Sequence, residues 1–436
     1  MPSRPQKSKT KDEERRHLSA PRGMHDVLPM EQPYWERIES VARDLARLYG
    51  FGKIGTPILE QTELFLRTNE DTEMVQKEMY TLKTKGGDQL ALRPEHTAPK
   101  MRAYLEHGMS RMGQPQKLWN FGHVFRHDRP QLGRLRQFSQ IDFDIIGGQN
   151  DPIYDAQIIS IFAALLAGLK IKNTVLKLNS IGCRVCRPIY KKQLQAFYKN
   201  YKKELCEECD RRLETNPLRL LDCKKEGCVK LKADAPNFLD KLCLTCSTHF
   251  KGVLEYLDEL KISYALDHQL VRGLDYYSRT VFEFYVDGPG SEVGALPAGG
   301  RYDYLMEMIG GNLTPAVGAA CGVERLIAVM KAQNVEIPPK AIKKVFLAHA
   351  GESAKKKALS LMRELQTAGI PVVEAFARDS LKAQLKAADK EKAPFSMILG
   401  QKEIHEGTVI IRDMRTGLQD NISLAKVVEE VKKRLK

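Results

Sequence analysis

Three arginines stand where a guanidinium is hard to bury. Arg126 lies in the strand-like NFGHVFRHD, Arg272 precedes two tyrosines in LVRGLDYYSRTVFEF, and Arg325 sits in the otherwise apolar GVERLIAVM. An unpaired charge taken out of water is costly, so each needs an anionic partner. An internal carboxylate is one such partner. A bound phosphate is the other, because the planar guanidinium fork matches its oxygens. Three such arginines in Gly- and Pro-rich settings favour the phosphate. The sequence has no G-x-x-x-x-G-K-[ST] and no G-x-G-x-x-G after a strand pattern, so side chains would have to hold the phosphates of any nucleotide.

A second set is acidic: Glu95 in RPEHT, and Asp142 and Asp144 in QFSQIDFDIIG. On a strand, Gln140, Asp142 and Asp144 project from one face, with Ile141, Phe143 and Ile145 on the other. The apolar face belongs to a core. The carboxylates belong either to a solvated side or to a site for a ligand cation or donor.

Nine cysteines occur, eight of them as Cys183/Cys186, Cys206/Cys209, Cys223/Cys228 and Cys243/Cys246. Three pairs are C-x-x-C, and 19 residues separate the first two pairs, a spacing that suits zinc. A structural zinc competes here with plain reduced thiols, and either reading implies a reducing compartment. Cys321 reads as a packed thiol on an apolar helix.

The elements that must position these groups follow from pattern. YWERIESVARDLARLYG has helical spacing, and the β-like FGKIGTPILE follows it. Residues 90–106 read as strand, Pro-marked turn and helix. KLWNFGHVFRHDRPQLGRLRQFSQIDFDIIG reads as two strands around a basic loop at Pro130 and Gly133. Residues 178–262 form an insertion rich in Cys, Lys and helix formers. A strand returns at 279–287, then a glycine-rich turn, AGGRYD, and an apolar helix at 316–330. Past a Pro-containing linker at 334–340, strands VFLAHA, IPVVEAF, FSMILG and TVIIRDM alternate with helices, which implies a small mixed sheet in 341–436.

The net charge is +14, from 69 Lys and Arg against 55 Asp and Glu, with a pI of about 9.2. This suits a polyanionic partner or a solvated basic surface. No run of about 18 apolar residues occurs, so no membrane span is expected. The opening MPSRPQKSKTKDEERRH lacks an export signal's apolar stretch, which points to a cytoplasmic location. Residues 1–17 read as a disordered basic tail.

The segments PRGMHDVLP, LRPEHT, FRHDRPQLGRLRQFSQ, LVRGLDYYSRTVFEF, AGGRYD and AVGAACGVERL resemble histidyl-tRNA synthetases, a branch of the class II aminoacyl-tRNA synthetases. The likeness runs from about Pro21 to the C-terminus. It implies an α+β fold: a class II catalytic core at 18–335 (an antiparallel sheet flanked by helices), interrupted by the Cys-rich insertion at 178–262, and an α/β anticodon-binding domain at 341–436. It implies a homodimer that joins histidine to its tRNA through a histidyl-adenylate, with ATP and Mg2+. Arg126 and Arg325 match ATP-binding arginines on the α- and γ-phosphate sides. Arg272 matches an arginine between the α-phosphate and the incoming carboxylate, so Arg272 and Arg126 are the catalytic pair. Glu95, Thr97 and Gln140 match residues holding the amino group of histidine, and Asp144 and Tyr277 those reading its imidazole. Tyr276 lines the same site. Arg129, Gln131 and Arg134 fall in the loop that meets the tRNA acceptor end. His96 stands where many bacterial members have glycine, and Asp128 and Asp144 where many have glutamate. A regulatory relative, the synthetase-like subunit of ATP-phosphoribosyltransferase, would lack the C-terminal domain and these arginines.

Overall fold

The computed structural model describes residues 18–69, 72, 74–131, 133–337 and 343–435. The expected tail at 1–17 lies outside them, as does part of the expected linker. The chain divides into two compact units, Met1–Ile337 and Pro338–Lys436.

In the first unit, helix α1 (Gln32–Tyr49) buries Ile38, Val41, Ala42 and Ala46, a stripe at three- and four-residue spacing. It ends at Gly50, whose φ of 73° closes the helix in the left-handed region. The β-like segment after it splits: β1 (Gly52–Lys53) joins the main sheet, whereas β2 (Leu59–Gln61) joins β3 (Thr81–Lys83) and β4 (Gln89–Leu92) in a small sheet of order β2-β4-β3. Helix α2 (Thr62–Asn69) lies between them, and α3 (Thr97–Glu106) follows the RPEH turn. Then come the long strands β5 (Gln116–Phe125) and β6 (Gln137–Ile146), helix α4 (Ile153–Gly168) and β7 (Thr174–Ser180). Helices α5 (Cys186–Lys199), α6 (Glu207–Thr215), α7 (Glu226–Lys232) and α8 (Leu244–Glu259) lead to β8 (Ala265–Leu266), β9 (Ser278–Val286), β10 (Ala298–Arg301), helix α9 (Leu305–Met308), β11 (Ala316–Gly322) and helix α10 (Val323–Ala332), which closes the unit.

The main sheet has eight strands in the order β1-β5-β6-β11-β10-β9-β7-β8. Its six central strands are antiparallel, and only the two-residue edge strands pair in parallel. This is the α+β sheet that the family resemblance implied. One of its faces carries Ile141, Phe143 and Ile145 into a core with α1, α4 and α10, where Phe143 stacks on Trp119 and meets Phe51 and Phe162 edge-on.

The apolar helix expected at 316–330 is a strand to Gly322 and a helix only from Val323. A short apolar run without periodicity reads equally as either. Here the flat Ala and Gly side chains let β11 lie between β6 and β10. AGGRYD, read as a turn, contains strand β10. The insertion also begins later than residue 178, since β7 runs to Ser180 within the main sheet, and α8 packs Phe250, Val253 and Leu257 into the main core.

The second unit is a five-stranded mixed sheet: β12 (Val345–His349), β13 (Val372–Glu374), β14 (Phe395–Leu399), β15 (Thr408–Asp413) and β16 (Gln419–Ser423), in the order β13-β12-β14-β15-β16. Four strands stand where expected. The fifth, β16, is an exposed polar edge strand with no alternation to betray it. Among the described residues no helix is long and apolar enough to cross a membrane.

Phe143 anchors the sheet to the helical layer. Phe143→Ala is expected to lower the stability of the first unit by about 3–5 kcal/mol. Both tryptophans, Trp35 and Trp119, lie in that unit, so urea unfolding followed by tryptophan fluorescence reads this loss.

Candidate active site

Strand register builds the site. Gln140, Asp142 and Asp144 on β6 lie opposite Gly122, Asn120 and Leu118 on β5 and opposite Gly322, Ala320 and Gly318 on β11. Small residues on β11 clear the space above the polar face. A Cβ on Gly318 would lie 2.2 Å from Asp144 Oδ1 and 2.7 Å from the Tyr302 hydroxyl.

That face carries a charge cluster. The Lys100 ammonium, fully buried on α3, donates to both Asp142 and Asp144. Burial works against its charge, but the two carboxylates outweigh burial and hold it above the usual lysine range. Asp144 also accepts from the Tyr302 hydroxyl. Burial, with Asp142 beside it, pushes the Asp144 carboxyl up. Burial likewise pushes the Asp142 carboxyl up, against the pull of the Lys100 and Arg93 charges. Asp142 Oδ2 is buried with no hydrogen-bond partner among the described residues, an acceptor in want of a donor. His96, also buried, takes Asn120 Nδ2 at 2.8 Å on Nδ1 and faces the Gly122 carbonyl at 3.3 Å through Nε2. Burial and the neighbouring Arg93 and Lys100 charges push its pKa well down, so it is a neutral ring with its proton on Nε2.

Above this floor opens a cleft of about 370 Å³. Arg126, Arg272 and Arg325 all line it, as do Glu95, Thr97, Gln140, Tyr276, Tyr277 and Arg134. Residues far apart in sequence thus meet on one surface. Asp144, Arg129 and Gln131 do not line it. The carboxylate reaching the cleft from β6 is that of Asp142, one pleat from Asp144.

The three arginines are held differently. Arg126 Nε donates to the Pro94 carbonyl at 2.9 Å, and its guanidinium lies over Phe138. Arg325 Nε donates to the Gly133 carbonyl at 2.8 Å and Nη1 to the Ala295 carbonyl at 2.7 Å. Among the described residues neither has a carboxylate within ion-pair distance. Burial lowers the pKa of both, and for Arg325 the nearby Arg134 charge adds to it. An anion in the cleft would relieve both. Arg272 is ion-paired with Glu283 and lies over the Tyr277 ring, yet its Nε is buried with no hydrogen-bond partner among the described residues.

Glu95 accepts the Ala98 N–H at 2.9 Å and also that of Thr97, fixing the start of α3. Burial nonetheless raises its pKa. Tyr276 and Tyr277 pack ring to ring, 4.8 Å apart, and burial raises both phenols, so they serve as neutral donors. In the basic loop, Arg134 pairs with Asp128 at 2.9 Å, and the backbones of Gln131 and Arg134 bond each other.

Several site residues escaped the sequence reading. Lys100 carried one signal, a place on the same helical face as the buried Ala103 and Tyr104. Glu283 and Tyr302 carried none. Glu324 also lines the cleft, and its carboxylate accepts the Ser139 N–H at 2.9 and 3.1 Å. Burial pushes it up to about 7. The eight paired cysteines form two groups of four, each with its Sγ atoms within 4.8 Å of one another, and all are free thiols.

Comparison with known proteins accords with this geometry. A family profile described as histidyl-tRNA synthetase matches residues 23–326, and one described as an anticodon binding domain matches 344–434. A protein named histidine–tRNA ligase from Desulforudis audaxviator is 46% identical over 419 residues, covering 95% of this chain and 99% of its own. One of the same name from Pelotomaculum thermopropionicum is 42% identical over 416 residues, covering 95% and 97%. The structure of apo histidyl-tRNA synthetase from S. aureus superposes with a TM-score of 0.80 at 32% identity, over 95% of this chain and 99% of that one.

Two outcomes test the electrostatics. Lys100→Met strands two buried carboxylates and is expected to cost about 3–5 kcal/mol, part of which the added changes Asp142→Asn and Asp144→Asn restore in urea unfolding. Glu324 has a pKa raised from the usual 4.5 to about 7. The folded state therefore binds the proton more tightly than the unfolded one, and stability falls as pH rises through that window. Glu324→Gln is expected to remove this fall, gaining up to about 3 kcal/mol over the parent protein at pH 8, measured as the pH dependence of the unfolding midpoint.

Proposed function

The chain belongs to the histidyl-tRNA synthetase family and attaches L-histidine to its tRNA in translation, and on that premise we propose how its cleft performs the reaction. ATP and histidine bind side by side. A histidine carboxylate oxygen attacks the α-phosphorus, pyrophosphate leaves, and the adenylate then passes its histidyl group to the 3′-terminal ribose hydroxyl of the tRNA, releasing AMP.

The observation that carries this reading is the convergence of Arg126, Arg272 and Arg325 on one wall, two of them with no carboxylate within ion-pair distance among the described residues. Arg126 grips the α-phosphate and Arg325 the γ-phosphate side. Arg272 bridges the α-phosphate and the incoming carboxylate, with its unpartnered Nε as a donor. Fixed cations at these places stabilise the charge that builds on the phosphorus in the transition state, and holding the two reactants together supplies an effective-concentration gain. Glu283 and Glu324, two of the carboxylates lining the cleft, would hold magnesium as hard oxygen donors, and the ion would neutralise phosphate charge on ATP.

Glu95, Thr97 and Gln140 hold the amino group of histidine. Tyr277 reads the imidazole beside Tyr276, and Asp142 offers the open carboxylate oxygen, backed by Asp144 through the Lys100 they share. A neutral imidazole has one donor and one acceptor, so a carboxylate and a phenol can meet opposite edges. A site of paired polar contacts rejects isosteres lacking the ring nitrogens. Arg129, Gln131 and Arg134 approach the tRNA acceptor end while the C-terminal domain binds the anticodon. The protein acts as a cytoplasmic homodimer, and its eight clustered thiols serve as structural ligands for zinc.

Histidine-dependent exchange of pyrophosphate into ATP, and charging of histidine tRNA, test the reaction. Arg272→Ala is expected to lower the exchange kcat by roughly 10²–10³-fold, the scale for losing one transition-state donor, with tRNA binding retained in a filter or gel-shift assay. An unchanged exchange rate would remove Arg272 from the mechanism.

A further inference from the structure

The insertion is a small segment with eight thiols, and its apolar residues do not form a cluster separate from the cleft wall. Its Tyr190, Leu194, Tyr198 and Leu213 pack into the same apolar cluster as Tyr276, Tyr277 and Tyr302 of the cleft wall. Small segments of this kind commonly need a metal or covalent staple.

The thiols are not arranged as four sequence-adjacent pairs. One group joins Cys183 and Cys186 to Cys243 and Cys246; the other joins Cys206 and Cys209 to Cys223 and Cys228. The second is nested inside the first along the chain. Edges of the outer group measure 3.7, 3.8 and 3.8 Å between Sγ atoms, and one edge of the inner group 3.9 Å. A disulfide requires about 2.05 Å. A tetrahedral zinc with Zn–S bonds of about 2.3 Å sets its sulfurs about 3.8 Å apart. Both groups are mostly buried, and four sulfurs fill a tetrahedral shell, so each site would be closed. The backbone is bent to suit: Gly182, at φ +63°, lies where a Cβ would be 2.5 Å from Cys186 Sγ. The Cys183 N–H points at Cys186 Sγ at 3.2 Å, and the Cys206 N–H at Cys228 Sγ at 3.4 Å.

What the two groups stiffen bears on the cleft. Arg187, next to Cys186, donates to the carbonyls of Ile181, Gly182 and Tyr277. Asn216 Nδ2 donates to Asp275 at 3.0 Å, and Arg219 Nη2 to the Gly273 carbonyl at 3.3 Å. Three side chains of the insertion thus grip the RGLDYY loop at alternate residues, and Arg219 and Asp222, just before Cys223, line the cleft themselves.

We propose that the eight thiolates form two separate, closed zinc sites, Cys183/Cys186/Cys243/Cys246 and Cys206/Cys209/Cys223/Cys228, which together hold the insertion as a rigid brace on the 272–277 loop of the histidine site. The ions are structural. The bracing residues Arg187, Asn216 and Arg219 are positioning residues, and the inference rests on the synthetase reading and the structural-zinc reading above.

The test is elemental analysis of freshly purified full-length protein, followed by pyrophosphate-exchange kinetics. The expected result is two zinc ions per chain. Cys209→Ser is expected to retain one zinc and to raise the KM for histidine roughly tenfold, the scale on which supporting residues act, with a smaller change in the KM for ATP. Cys209→His, which preserves a zinc ligand, is expected to restore both the metal and the KM. Should the variants fail to fold, stepwise zinc release from the native protein by a mercurial reagent must show two equivalents. No zinc, or iron in its place, overturns the zinc assignment. One zinc, or loss of both ions from Cys209→Ser, overturns the two-site partition, while loss of one ion with an unchanged histidine KM overturns the brace. Two zinc ions in a chain without exchange activity would refute the synthetase reading and leave the metal sites standing.

Discussion

Everything in the catalytic unit is arranged around one buried ammonium. Lys100 on α3 holds Asp142 and Asp144 on β6, and through them the helix that begins at Thr97 is locked to the middle of the main sheet. Such a cluster adds little net stability, because desolvating three charges offsets most of their attraction. It does specify register. A slip of one residue in β6 would point the two aspartates into the apolar layer and leave Lys100 among hydrocarbons, a state with no compensating gain. The same cluster leaves the Asp142 Oδ2 without a hydrogen-bond partner among the described residues, under the cleft, where a ligand that offers N–H donors can meet it.

The cationic wall follows a different rule. Arg126 and Arg325 are oriented by backbone carbonyls, which fix a guanidinium without neutralising it. Arg272 shares its charge with Glu283 but keeps a buried N–H unspent. A cleft built this way stays receptive to polyanions, since each arginine is positioned before the ligand arrives and loses little freedom on binding. The absence of a glycine-rich phosphate loop is consistent with this design: the side chains do the work that backbone N–H groups do elsewhere.

The insertion shows how a segment can be tied to a loop of the cleft. Its apolar residues pack on one another, as Tyr190 does on Phe238, within the same cluster as the cleft's tyrosines, while Arg187, Asn216 and Arg219 hydrogen-bond the RGLDYY segment. Rigidity there reaches the tyrosines directly, because they share one packed cluster with it.

Local pattern made much of this legible. The alternation of QIDFDII set its faces correctly, the RPEHT turn led into the expected helix, and the quoted motifs named the family and held Arg126, Arg272 and Arg325, which line the cleft. Where pattern failed, the cause was identifiable. The run AVGAACG has no period, so only its neighbours β6 and β10 made it a strand, and the polar edge strand β16 has no buried face to write into sequence. The pairing of thiols, the partnership of Arg272 with Glu283, the place of Lys100 between two aspartates and the approach of Asp142 rather than Asp144 to the cleft were decided by tertiary structure alone. The reason is physical: periodicity records which way a side chain faces along its own element, whereas a charge or a thiol acquires its partner from a strand or helix tens of residues away, across a distance that sequence does not encode.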